Sequence, residues 1–108
     1  MNPQTDAQKT AAAAALLNPD LVAVALGNPA RWKILKELCA GEPRMVIELA
    51  RVAGCSPDMT SKHLKILVKA GVVAQVRRLY QLPKHLLPTP GEPVVELGHC
   101  LLRLHNVG

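Results

Sequence analysis

The stretch from Ser56 to Gly71, SPDMTSKHLKILVKAG, decides how the whole chain is read, because it describes a capped helix with two chemically different faces. Ser56 is an N-cap type, Pro57 suits the first helical position, Asp58 favours the positive end of the helix dipole, and Gly71 stops the last turn. At about 100° per residue, Thr60, Leu64, Leu67 and Val68 share one stripe, while Lys62, Lys65 and Lys69 share another nearly opposite. One face packs and the other is cationic. Taken alone, such a lysine stripe is either a solvated helix face or a surface for a polyanion.

The rest of the chain bears on that choice. A length of 108 residues is one domain with a modest core, and a hydrophobic content of 49% without any Phe makes that core aliphatic. Trp32 and Tyr80 are its only aromatic residues. The net charge of +5 is unevenly placed. From Met59 to Gly91 there are Lys62, Lys65, Lys69, Arg77, Arg78 and Lys84 and no Asp or Glu, so the basic field is local and suits a polyanion or an acidic surface as partner. Cys39, Cys55 and Cys100 are odd in number and widely spaced, which indicates neither a disulfide scaffold nor a zinc ribbon and fits a reducing cytoplasm. Ala11 to Leu17, stopped by Asn18-Pro19, does not read as a signal peptide, and no apolar run is long enough to span a bilayer. Glycine-rich phosphate loops, nucleophile–base pairs and paired carboxylates are also missing, so no enzyme and no cofactor is expected.

In chain order, residues 1–9 read as a flexible tail and residues 10–108 as one domain. N-terminal helices are expected over 10–27, a helical core over 28–71 with a helix-turn-helix at 45–71, and a short wing over 72–82. A C-terminal helix is expected over 93–106. In the helix from Pro29 to Ala40, Arg31 falls among Ala30, Ile34, Leu35 and Leu38, where a charge is either paired or snorkels to solvent; Glu48 is a candidate partner, and Arg31 reads as structural. Met45 to Ala53 forms the next helix and Gly54-Cys55-Ser56 the turn into the lysine-faced one. VVAQV and RLYQL then alternate as strands around Arg77 and Arg78. On a helical wheel Val94, Leu97, Gly98, Leu101, Leu102 and Leu104 spread over so wide an arc that one small core cannot cover it. The expectation is a homodimer joined through these residues and through Leu16 and Leu17 of the N-terminal helices. The fold class expected is mainly α with a small β-hairpin.

Three segments, ALGNPARWKILKEL, VIELARVAGCSPDMTSKHLKILVKAGVV and RRLYQL, carry a resemblance to the ArsR family of winged helix-turn-helix transcriptional regulators, over about residues 21 to 82. Its marks are the L-x-N-P-x-R-x-x-I-L opening, the E-L-A before the turn, and a recognition helix with Ser56, Ser61, His63, Leu64, Leu67, Ala70 and Gly71 at the family's positions. The resemblance implies a homodimer that binds double-stranded DNA at an inverted-repeat operator and represses or modulates transcription. It suggests Ser56, Met59, Ser61 and Lys62 near the DNA, with His63 and Lys65 toward phosphate or the domain surface. Lys69, Arg77 and Arg78 join them as cations for the backbone or groove. Asp58 either accepts from a cytosine amino group or stabilises its own helix. His63 itself reads as a hydrogen-bonded structural residue rather than a catalytic one.

Departures from the family refine this expectation. The C-x-C metal-sensing pair is replaced by Met45-Val46-Ile47, and Glu96, His99 and His105 offer only partial ligand chemistry, so no metal site is expected. Cys39 and Cys100 stand where redox-responsive members carry thiols, which leaves a dithiol switch and a pair of small buried hydrophobes as alternatives. The wing between its strands is unusually short. That shortness supports the alternative of a winged-helix protein–protein interaction module without specific DNA binding. A cytoplasmic, nucleoid-associated protein follows from the leading reading, with its effector unknown.

Overall fold

Capping chemistry divides the helical half of the protein. The structure, a computed structural model, describes residues 17–98, 100–105 and 107. Helix α1 (Pro19–Ala25) starts where the Asn18 side chain accepts from the Asp20 and Leu21 amides at 2.9 and 3.3 Å. Helix α2 (Pro29–Leu38) repeats the device, with Asn28 accepting from Ala30 N at 2.8 Å. Both helices carry proline at their first position, where no amide hydrogen is needed. The expected tail at 1–9, the helix before Asn18 and Leu16 lie outside the described residues.

A two-residue strand β1 (Arg44–Met45) leads into α3 (Val46–Ala53), which Gly54 ends at φ 70° in the left-handed region. Helix α4 (Pro57–Lys69) follows, with Ser56 Oγ accepting from Met59 N at 3.1 Å and Gly71 at φ 82° turning the chain away. α3 packs against both α2 and α4. Strands β2 (Ala74–Val76) and β3 (Leu79–Gln81) form the wing, and β1 adds to it in the order β1-β3-β2, all antiparallel. The pairing of β1 was not expected from sequence. A single 3-10 turn (Lys84–Leu86) buries Leu86 beneath the linking segment.

The C-terminal segment corrects the expectation. In place of a dimerising helix over 93–106 the structure has a hairpin, β4 (Val94–Glu96) paired with β5 (Leu101–Arg103), with Val95 opposite Leu102. The physical reason is a period of two. Val95, Leu97, Leu102 and Leu104 point inward and are buried, while Glu96, Leu101 and Arg103 alternate outward. Projected at helical spacing, such an alternation scatters to opposite sides of the wheel, which is what made the apolar arc look too wide for one core. Gly98 is not on a helix face. It sits at φ 86° in the connecting turn, where Glu96 Oε1 accepts from its amide at 2.7 Å.

The core is aliphatic throughout and continuous from Leu17 to Leu104, with Ala25, Ile34, Leu38, Leu49, Leu64 and Leu67 fully enclosed. Leu17, Leu97, Leu102 and Leu104, expected at a dimer interface, are therefore spent inside the protomer, and of that set Leu101 remains 46% exposed with Val94 half-buried. Lys36 Nζ holds the strand's continuation onto α2 by donating to the Val107 and His105 carbonyls at 2.6 and 3.3 Å. Leu104→Ala is expected to cost about 2–5 kcal/mol, as truncation of an enclosed leucine does. Urea unfolding at two protein concentrations checks it: a loss that grew on dilution would return Leu104 to an interface between subunits.

Candidate nucleic-acid interface

Helix α4 separates its residues by burial. Thr60, His63, Leu64 and Leu67 are buried, and Ser61, Lys62, Lys65 and Lys69 are exposed on the other side. Ser56 and Met59 are exposed at its first turn, although the Ser56 hydroxyl is committed to the cap. Asp58 is exposed beside them. None of the three lysines has a carboxylate partner within ion-pair distance among the described residues, where both ion pairs belong to Arg44. Uncompensated cations of this kind set up a field that attracts phosphate.

The wing contributes two more cations on a minimal turn. β2 and β3 are joined through Arg77 and Arg78 alone, with Val76 opposite Leu79. Arg77 takes φ 59°, a conformation that favours glycine, and Gln75 Nε2 steadies it by donating to the Arg77 carbonyl at 3.0 Å. Both arginines are exposed.

His63 must be removed from the DNA-facing set. It is only 7% exposed, and its Nδ1 lies 2.9 Å from Arg31 Nη1. Since a guanidinium can only donate, Nδ1 accepts and the imidazole proton sits on Nε2. Arg31 also donates from Nε to the Ala25 carbonyl at 2.8 Å and from Nη2 to the Val24 carbonyl at 3.1 Å. Arg31 is thus the structural arginine expected, but with different partners. Glu48 instead turns back on its own helix, accepting from Met45 N at 2.9 Å, and lies 3.8 Å from Arg44. A signal for the true pairing was available: His63 is one turn from both Thr60 and Leu67, so it belongs to the packed stripe, and Arg31 needed a buried acceptor. The remaining blemish is Thr60, whose enclosed hydroxyl has no partner among the described residues. An unsatisfied group of this kind costs about 1–3 kcal/mol.

The other candidate chemistry does not gather at this face. Cys39 caps the end of α2, half-buried, and burial pushes its thiol up to about 11, while Cys100 is exposed in the C-terminal turn; both are free thiols. Glu96 is engaged by Gly98, and His99 lies outside the described residues. No helix among the described residues is long and apolar enough to cross a membrane.

Four helices with small antiparallel strands, two of them forming a hairpin beside the second helix of a helix-turn-helix pair, are consistent with a winged helix-turn-helix. Residues 26–76 match the family model of a helix-turn-helix domain, a family found in ArsR-type regulators. The match runs from the end of α1 through β2 and so takes in the whole of α2, α3 and α4. It suggests DNA binding and transcription regulation. No curated protein matches the chain.

Burial of His63, and then the charge of Arg31, hold its pKa below the ordinary 6.5. The folded protein therefore binds this proton less readily than the unfolded chain. The resulting stability is present above the ordinary value and is lost as the pH falls through the folded one. Urea midpoints measured from about pH 8 down to about pH 5 should fall more steeply for the natural protein than for His63→Gln, and parallel slopes would exclude His63 as the source.

Proposed function

We propose that the protein is a homodimeric, ArsR-type transcriptional regulator that binds an inverted-repeat operator and represses from it, and that it is not an enzyme. The observation that carries this reading is the division of α4: its buried side locks the helix to the core and its outer side presents Ser61, Lys62, Lys65 and Lys69 without counter-charges. In such an interface, side chains of the first turns address base edges in the major groove, and cations further along neutralise phosphates. Arg77 and Arg78 extend the cationic surface to the wing. Two-fold operators require two copies of the helix, and in this reading the copies meet at the terminal surfaces, where Leu101 remains exposed. A thiol response is the weaker part of the picture, because the Cys39 thiol stays protonated near neutral pH.

One feature favours a second reading, a protein–protein module. Met45, Leu79 and Val76 are direct cross-strand neighbours and so share one face of the wing sheet, exposed at 46%, 40% and 56%. Such a row suits a protein partner as well as a nucleic acid.

Fluorescence anisotropy separates the two. With the duplex upstream of the protein's own gene and a scrambled duplex of equal length, at about 0.15 M salt, a specific regulator should discriminate by about 10³ or more. Lys62→Ala with Lys65→Ala should weaken both affinities and lower the log–log salt slope by about 0.9 for each phosphate contact removed. Equal, weak binding to both duplexes would favour the protein–protein module. Sedimentation of the free protein checks the dimer.

A further inference from the structure

A groove of about 450 Å³ opens between the first turn of α3, the first turn of α4 and the wing. Its volume lies within the range of small-molecule sites, roughly 300–1,000 Å³. Val46, Ile47, Pro57 and Tyr80 supply apolar walls, and Arg77 and Arg78 line the same space. Ile47, 52% exposed, and Met45, 46% exposed, line it together as a contiguous apolar surface. The charge in the groove is one-sided: no lining residue is acidic, and neither arginine has a carboxylate within ion-pair distance among the described residues. The bond from Gln75 to the Arg77 carbonyl fixes the turn from which both guanidiniums start.

We propose that this groove binds a small amphipathic carboxylate, its aromatic or branched apolar body against Ile47, Pro57 and Tyr80 and its anionic head on Arg77 and Arg78. Guanidinium pairs planar carboxylates through two parallel hydrogen bonds, and desolvation by the apolar walls strengthens that pairing. The groove lies between the start of the recognition helix and the wing, so its occupant takes the wing arginines away from phosphate. Ligand and duplex then compete. The competition rests on the DNA-binding function proposed above, whereas the binding site does not.

The test uses 2-naphthoate as probe, 2-naphthamide as its neutral counterpart, and acetate to hold ionic strength constant. Titrated into the ¹⁵N-labelled full chain without DNA, 2-naphthoate should produce saturable amide shifts centred on Met45–Ile47 and Gln75–Tyr80, and should bind at least about tenfold more tightly than the amide. Arg78→Ala, and Arg77→Gly chosen to suit the positive φ, should abolish that preference while the amide still binds. Absent or scattered shifts, or equal binding of acid and amide, would overturn the site. In the second arm, 2-naphthoate should weaken duplex binding by the natural protein and not by Ile47→Gln. Duplex affinity unchanged despite a filled groove would overturn the competition. Failure of the protein to bind any duplex would sink the DNA-binding function, with the groove still decided by the first arm.

Discussion

The guanidinium of Arg31 is the interaction on which the arrangement of the helices depends. The last carbonyls of α1 carry the negative end of its dipole, and that of Val24 also accepts from Gly27 N at 3.1 Å. Arg31 receives two of them, at Val24 and Ala25, and the neighbouring Trp32 indole donates to the third, Leu26, at 2.6 Å. A third arm of the same guanidinium reaches His63 on α4. One side chain in the first turn of α2 thereby sets the end of α1 and the roll of the recognition helix together. A buried charge is tolerated only when its donors are used, and here three different nitrogens of the guanidinium are.

That clamp explains why the outer face of α4 is available. With Thr60, His63, Leu64 and Leu67 all turned inward, Ser61, Lys62, Lys65 and Lys69 are turned outward before anything is bound. Preorganisation of this kind lowers the ordering cost of recognition. His63 holds the helix by accepting from Arg31, and it can do so only as the neutral imidazole.

Local chemistry was readable in the sequence and long-range chemistry was not. Asn18-Pro19, Asn28-Pro29, Ser56-Pro57, Gly54 and Gly71 mark helix ends through bonds within a few residues, and each stands where the structure puts an end. The stripe of lysines on α4 was legible for the same reason. Arg31 was recognisable as a residue in need of a partner, but Glu48, the nearest obvious anion, spends its carboxylate on its own helix; Arg31 uses two backbone carbonyls of the preceding helix end and one side chain, His63, 32 positions away. The C-terminal hairpin failed on a different ground. Its strands are three residues each, too short for alternation to declare itself against a leucine-rich composition that also suits a helix. β1, at two residues, has no pattern at all and exists only because β3 lies beside it.

The wing shows how a small change in loop length redistributes work. A hairpin closed by two residues cannot send backbone far beyond its strands, so whatever it contacts must be reached by the Arg77 and Arg78 side chains themselves. The unfavourable φ at Arg77 is the cost of placing an arginine where glycine would be easier, and Gln75 offsets part of it. A glycine there would close the same turn with less strain and one cation fewer. Arginine at that position instead adds a second exposed cation beside Arg78 at the tip of the wing. Ile47 and Pro57 lie exposed beside the same short wing and line one groove with its arginines. Cationic tip and open apolar groove thus adjoin at one short turn.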